Sequence, residues 1–405
     1  RIGKNSDFNN LAGIVILASD GIDLGVQKLI RELTGEVLFE NNNPADENVA
    51  KPIIFDEDYK IEIVVEDLEK PSSMIFIGNE MFVTELETGK ILKISDNGAV
   101  QTVLELDVHP YDYTCAGCGL LGMTNLGEDV YIYYTTFPTS EQEEGGRNVV
   151  TKYRYDGKSF VEPVIIKKFH GTGIDHNGGA MTTGINNDIY FVIGDQTEVS
   201  EYINFPTSEK WNYSDKLQAL VHGTLYLNNG IEDNAGIFKI HDGKVERFAM
   251  GIRNSFGLAV DPETGFLWET ENGPHMYDEV NLVEEKFNVG WALFHGPSTA
   301  PDSKVMDQFL PEIIINYKDY KYSEPEFSWH VPVSPTAIEF PNSPDFEKYS
   351  DYAFVGAFNT GTIYKFQLNT DRTQFIFEDE SLKDLVYNDL DNNEEIIFVT
   401  GINGG

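Results

Sequence analysis

The chain has 405 residues, with 67 acidic against 29 basic side chains and a formal net charge of −38. So acidic a chain does not hold nucleic acid or an anionic membrane through general electrostatics, and a 41% hydrophobic content with 26 Phe and 20 Tyr excludes a disordered solvating polypeptide. The acid excess marks a surface that stays soluble in salty or cation-rich surroundings, where screening weakens self-repulsion.

From the N-terminus, the first apolar run is Leu11 to Ala18 (LAGIVILA), far short of the roughly 20 residues of a membrane span. It reads as a buried strand or helix turn, or as the remnant of an export signal. Asp20 is placed to cap an amphipathic helix carrying Leu24, Leu29, Ile30 and Leu33 and ended by Gly35, and Asn41-Asn42-Asn43-Pro44 reads as a linker. Residues 1–58 are therefore expected to form an N-terminal extension that docks on the main domain or tethers it to a protein partner.

Beyond residue 58 one pattern recurs: a small or polar lead-in, a short apolar strand, a Gly/Asn/Asp turn and a second apolar strand. It begins at Pro71 (PSSMIFIGNEMFVTE), Cys118 (CGLLGMTNLGEDVYIYYT), Asn177 (NGGAMTTGINNDIYFVIGD), Asn254 (NSFGLAVDPETGFLWETE), Ser334 (SPTAIEFPNSPDFEKYSDYAFVGA) and Leu382 (LKDLVYNDLDNNEEIIFVTG). Hairpins repeating at intervals of about 40 residues or more are what radial sheet repetition looks like in sequence. Segments such as Gly89 to Ser95 and Gly361 to Leu368 supply the next strand outward. The expectation is an all-β fold, a six-bladed β-propeller over residues 59–405, rather than a sandwich with coincidental hairpins. Lys60 to Val65 is the candidate for pairing with the last blade, and that blade is expected either to be short or to lack its last strand through truncation of the chain.

Only two cysteines are present, Cys115 and Cys118. Haem attachment would need His where Gly119 stands, zinc would need two further ligands, and the Gly-Leu-Leu-Gly that follows reads as a turn rather than a redox-active helix start. A local disulfide is the preferred reading, then two ordinary thiols, then a metal. Polar residues at the openings of inner strands face the central channel of a propeller. Two such pairs stand out: Asp175-His176 in the third hairpin and Arg253-Asn254 in the fourth. A His with a carboxylate nearby serves as a general base, and an Arg beside it stabilises an oxyanion or anionic cofactor. Neighbours on a strand point to opposite faces, so the Asp175 and His176 side chains need not meet, and a structural polar turn is the alternative.

The ordered segments from His176 to Gln196 and from Gly251 to Trp291, with CGLLGM at Cys118, resemble the soluble glucose/sorbosone dehydrogenases, also called aldose sugar dehydrogenases. The resemblance covers about residues 60–405. It implies a six-bladed quinoprotein using pyrroloquinoline quinone (PQQ) and calcium, working outside the cytoplasm and passing electrons to a cytochrome, a copper protein or another acceptor. It further implies that His176 is the base for the anomeric hydroxyl of a sugar, with Asp175 its neighbouring acid. Arg253 and Asn254 would meet the quinone oxygens, the carbonyls of Gly273 and Pro274 would bind calcium, and Trp329 and Lys383 would lie at the cofactor.

The sequence also departs from the family pattern. Gly117 stands where a glutamine is expected, Asn359 replaces a lysine, Ser381-Leu382-Lys383 replaces an Arg-x-Arg, and Val289-Gly290-Trp291 replaces Tyr-Gly-Trp. PQQ carries three carboxylates that charge-assisted pairs would hold, so these losses motivate a second reading, a non-catalytic extracellular propeller serving as a binding or assembly subunit. The acidic run from Asp389 to Glu395 reads as a turn rather than a calcium loop, and His275, His295 and His330 as ordinary polar contacts. Asn212-Tyr213-Ser214 fits a glycan acceptor pattern.

Overall fold

The computed structural model describes residues 2–4, 52–95, 97–109, 115, 117–137, 147–169, 175–196, 233–291, 295–300, 319–388 and 393–402. The expected helix after Asp20, the apolar run from Leu11 and the site at Asn212 lie outside these residues. Among the described residues there is no α-helix, only two short 3-10 turns at Pro344–Tyr349 and Glu380–Leu382.

Five sheets of four or more strands follow one another along the chain. The first is Pro71–Ile77, Glu80–Glu85, Lys90–Ile94 and Val100–Glu105; the second is Leu120–Leu126, Asp129–Thr136, Arg147–Tyr155 and Phe160–Lys168. The third is built on Met181–Thr183, Ile189–Ile193, Gly236–His241 and Lys244–Met250, the fourth on Ser255–Val260, Leu267–Glu271 and Asp278–Val283, and the fifth on Pro335–Glu339, Tyr352–Ala357 and Thr362–Gln367. The strands just named are antiparallel to their chain neighbours within each sheet, as hairpin connection requires.

Inner strands, first or second in their sheets, lean on one another from sheet to sheet. Ser72 Oγ donates to the Leu120 carbonyl at 2.6 Å, Thr183 Oγ1 to the Asn125 carbonyl at 2.9 Å, and Thr270 Oγ1 to the Pro335 carbonyl at 3.3 Å. This radial order is that of a propeller blade array. Second strands are covered on both faces, so Glu80–Glu85 and Leu267–Glu271 are buried nearly throughout, whereas the outer strand Phe160–Lys168 is largely exposed. Aromatic side chains fill the wedges between blades: Phe82 meets Tyr155 at 5.0 Å and Tyr133 meets Phe191 at 6.0 Å. Burying each such ring is worth about 1.5–3 kcal/mol.

Two expectations are corrected here. The sixth hairpin does not form a sheet of its own among the described residues. Val386–Tyr387 instead runs parallel to Phe327–Trp329 at the edge of the fourth sheet, and Ile397–Thr400 becomes the next strand of the fifth, beside Thr362–Gln367. The physical reason lies in the core: Ile396, Ile397, Leu382 and Tyr387 are buried in the cluster around Trp268, Trp329 and Phe366, which offers more apolar cover than a separate hairpin. Second, the strand added to the last sheet is Ile53–Ile54, paired with Thr400 and Val399, and not Lys60 to Val65. Tyr59–Ile61 pairs instead with Ile2–Lys4. Tyr59 anchors this region by packing on Phe346, Tyr349 and Phe398.

Candidate functional site

The lead-ins to the inner strands gather at one end of the blades. Leu120 N–H donates to the Leu86 carbonyl, Asp195 N–H to the Arg253 carbonyl, and Val333 and Ser334 N–H both to Asp278 Oδ2, which ties the first sheet to the second, the third to the fourth and the fourth to the fifth at this end. The residues expected to carry chemistry are on these segments.

His176 is a non-glycine residue in the left-handed region, with φ of 52°, a conformation that persists only where surroundings impose it. The Asp175 side chain accepts from the His176 backbone N–H at 2.8 Å, and so acts as a local cap. The imidazole partner is a different acid. His176 Nδ1 lies 2.7 Å from Asp195 Oδ1, and Asp195 Oδ2 accepts from Trp291 Nε1 at 2.8 Å. Asp195 is completely buried, and its backbone is fixed by the bond to Arg253 and by Asn234 Nδ2 donating to its carbonyl. A carboxylate at Nδ1 favours the tautomer that carries its proton there, leaving Nε2 as a proton acceptor. Nε2 lies 3.6 Å from Asp175 Oδ2, so both acids flank the ring, but Asp195 makes the hydrogen bond.

Gly194 brings the two expected pairs together. A Cβ placed on it would sit 2.5 Å from the His176 carbonyl and 2.6 Å from the Arg253 carbonyl. Arg253 Nη1 donates to the carbonyls of Asn272 at 2.8 Å and Gly273 at 3.3 Å, and its guanidinium stands 5.6 Å from the Trp291 ring. Trp291 thus touches both Asp195 and Arg253. Asn254 donates its backbone N–H to Glu271 Oε1, while its side-chain Oδ1 is buried without a hydrogen-bond partner among the described residues. Gly273 N–H donates to Asp278 Oδ1, which turns the chain so that the Gly273 carbonyl faces Arg253; Pro274 follows, half-buried.

Acidic side chains lie behind this surface. Burial pushes Glu269 up to about 8 and Glu279 to about 7, and it lifts Glu271 well above the usual range with the Glu269 charge adding to it. Asn281 Nδ2 bridges Glu269 Oε1 and Glu279 Oε2 at 2.8 and 3.0 Å. Burial also raises Asp278, although three backbone N–H groups and the Arg253 charge act in the opposite direction.

Cys115 and Cys118 form the expected disulfide, buried directly behind His176. A Cβ on Gly117 would meet the backbone nitrogens of His176 and Asn177 at 3.2 and 3.3 Å, and Asn177 Nδ2 points to Cys115 Sγ at 3.5 Å. Asn177 is itself held by Asn148, Gln196 and the Tyr133 hydroxyl.

Two expected cofactor contacts stand elsewhere. Trp329 is completely buried in the hydrophobic core, its ring about equally close to Phe327 and Tyr364, at 5.1 Å from each. Its strand pairs with Asp278–Val283, whose inner side faces that core, and this turns the indole inward. Lys383 ends the turn Glu380–Leu382 and pairs with Glu380 at 2.5 Å on the exposed surface, because that acid is one turn away. Asn359 and Ser381 are likewise engaged locally, with Pro332 and Asp379. His275 is exposed, whereas His295 accompanies Met276, Tyr277 and Trp291. His330 packs on Tyr277.

Sequence reasoning missed Asp195 and Trp291 as partners of His176. Asp195 stands two residues after the second strand of the third hairpin, and so returns to the end where the first strand opens; that register is the signal that could have found it. Trp291 is separated from Asp195 by 96 positions, and no spacing rule reaches it.

The family model for Glucose / Sorbosone dehydrogenase matches residues 68–388. The chain is 28% identical over 258 residues to Quinoprotein glucose dehydrogenase B of Acinetobacter calcoaceticus, covering 58% of this chain and 52% of that protein. It is 26% identical over 199 residues to Aldose sugar dehydrogenase YliI of Escherichia coli (strain K12), covering 49% of each. The chain therefore spans about half the length of these curated relatives. Among solved structures, the PQQ-bound aldose sugar dehydrogenase of Streptomyces coelicolor aligns with a TM-score of 0.55 at 16% identity, over 81% of this chain and 84% of that one. The apo-form of the soluble aldose sugar dehydrogenase of Escherichia coli aligns with a TM-score of 0.55 at 17% identity, over 77% and 86%. These structural likenesses establish the propeller fold, and the match over residues 68–388 shows that the chain belongs to the glucose/sorbosone dehydrogenase family.

Proposed function

We propose that this chain is a quinoprotein-type oxidoreductase that converts an aldose sugar or related alcohol to its lactone or carbonyl product, with PQQ and Ca2+ as cofactors. The observation that carries this reading is the His176–Asp195–Trp291 array with Arg253 against the same indole. The residues fit the reacting end of the cofactor. Arg253 and Asn254 would meet the quinone oxygens through their N–H groups, since only donors pair with a quinone oxygen, and the Gly273 carbonyl, which accepts from Arg253 at 3.3 Å here, would with that of Pro274 hold the hard cation. When bound, PQQ supplies a hydride acceptor and Ca2+ polarises it.

The chain's own residues do the proton chemistry. His176 Nε2 takes the proton of the substrate hydroxyl, and the imidazolium that results is stabilised by the Asp195 carboxylate at Nδ1. Trp291 fixes the second oxygen of that carboxylate, which holds the acceptor of the imidazole bond in place. Arg253, held against the Trp291 ring, would supply positive charge to the negative charge that develops on oxidation. Two electrons then leave to an acceptor such as a cytochrome or copper protein. An extracytoplasmic setting belongs to this reading and is supported by the buried disulfide.

A second reading, a propeller that binds or assembles without turnover, is favoured by one observation: Lys383 is paired with Glu380, and neither Asn359 nor Ser381 supplies a cation. The two readings separate in one experiment. PQQ and Ca2+ are added to purified protein, binding is followed by calorimetry, and dye reduction is assayed with a panel of aldoses. Saturable binding with turnover supports the enzyme; a folded protein that neither binds nor turns over refutes it in favour of the second reading.

A further inference from the structure

His109, Cys115 and Cys118 take no part in the proposed proton chemistry. All three are buried, and the nearest ligand atoms of the three side chains lie within 4.8 Å of one another. The two sulfurs belong to one Cys-Ala-Gly-Cys loop with Cα atoms 5.4 Å apart, which is the two-residue spacing at which a single loop chelates a thiophilic ion. A tetrahedral ion with metal–sulfur bonds of about 2.3 Å and metal–nitrogen bonds of about 2.0 Å needs ligand atoms roughly 3.6–3.8 Å apart. Once the disulfide is opened, the sulfurs must separate and the imidazole must close to that distance by side-chain rotation. Asn177 adds the outer contact that thiolate ligands use, since its Nδ2 points at Cys115 Sγ at 3.5 Å and lies 4.0 Å from Cys118 Sγ.

We propose that His109, Cys115 and Cys118 form, in the dithiol state, a Cys2His site for a thiophilic divalent cation such as Zn2+, which the disulfide closes in the oxidised state. This inference is independent of the sugar dehydrogenase reading. The steps balance: an external dithiol gives two electrons and two protons to the disulfide, yielding two thiols and its own disulfide, and the cation then displaces both thiol protons to give two metal–thiolate bonds. Gly117 of the same segment lies against the His176 and Asn177 backbone, which puts the site at the wall of the candidate active site.

Cobalt(II) is the probe. The full chain, with Ca2+ in excess to saturate oxygen sites, is titrated with Co2+ before and after treatment with a dithiol that is then removed under inert gas. The expected result is one equivalent bound by the reduced protein, with thiolate-to-cobalt charge-transfer absorption and tetrahedral ligand-field bands. The untreated protein should show neither. His109→Ala should weaken binding at least tenfold while keeping the thiolate absorption. The oxidised wild type serves as a comparator that needs no substitution. Reduced, folded protein that develops no thiolate-to-cobalt absorption would overturn the site, as would affinity unchanged in His109→Ala.

Discussion

Replacing Asp195 by Asn tests the proton chemistry with the least change in shape. Asp195 is fully buried between two partners of fixed and different character. Trp291 Nε1–H can only donate, so the introduced carboxamide must keep its oxygen towards the indole. Its NH2 then faces His176 Nδ1, 2.7 Å away in the native protein, and can be satisfied only if Nδ1 becomes the acceptor. The imidazole proton moves to Nε2, the atom that must accept the substrate proton. The base is thereby present and correctly placed, but in the wrong tautomer. General-base catalysis contributes about 10²–10⁴-fold, so kcat should fall by that factor, about 3–5 kcal/mol in the barrier. The Trp291 bond survives, and the lost charge-assisted bond should cost stability only about 1.5–3 kcal/mol. Steady-state dye reduction with PQQ and Ca2+ gives kcat, calorimetry gives cofactor affinity, and a thermal melt reports stability. Cofactor affinity should stay within a few-fold of wild type. Wild-type kcat in the Asp195→Asn variant would refute the role assigned to Asp195, whatever the reaction catalysed.

Three further outcomes follow from the same geometry. Gly194→Ala places a methyl 2.5 Å from the His176 carbonyl and 2.6 Å from that of Arg253, so a loss of about 1–3 kcal/mol in denaturant titration should accompany a fall in activity. Trp329→Ala should destabilise by about 3–5 kcal/mol because it empties a core site, whereas Trp329→Phe should keep cofactor affinity unchanged; calorimetry on the Phe variant would contradict the core placement if affinity dropped tenfold. Glu269 and Glu279 have folded pKa values raised by burial to about 8 and about 7, from an ordinary carboxylate value of 4.5. The folded state therefore binds more protons than the unfolded state above that value. Stability should be highest at acidic pH and fall as pH rises towards 7–8, by about 1.4 kcal/mol per pH unit for each group. Glu269→Gln should flatten part of that slope, and a stability that instead rises between pH 5 and 8 would contradict the assignment.

The hairpins themselves were legible because each inner blade strand pairs with its chain neighbour, so their sequence copies start at Pro71, Cys118, Asn177, Asn254 and Ser334 and coincide with the inner edges of the five sheets. The copy at Leu382 carries the same local pattern, yet its strands serve two different sheets, a choice made by the core around Trp329 and Phe366 and not by local alternation. The site divides in the same way. Asp175-His176 and Arg253-Asn254 were visible as polar pairs at strand openings, and Cys115 and Cys118 as a local pair. The Asp195 contact depends on the return register of the hairpin, and Trp291 on a loop that crosses between sheets. Trp329 and Lys383 illustrate the converse, where motif position suggests a site but side-chain direction and an adjacent acid settle a different environment.

Proton abstraction by the His176 array in a PQQ-dependent sugar oxidation, despite the thin supply of cations around it, meets its sharpest test in a comparison of wild type with His176→Ala. Each protein is loaded with PQQ and Ca2+ and followed by calorimetry and by dye reduction with an aldose panel. Both proteins should bind PQQ in a Ca2+-dependent manner, the wild type should turn over, and turnover should be abolished in the variant. Full turnover by His176→Ala, or a folded wild type that neither binds PQQ nor reduces the dye, would contradict that role.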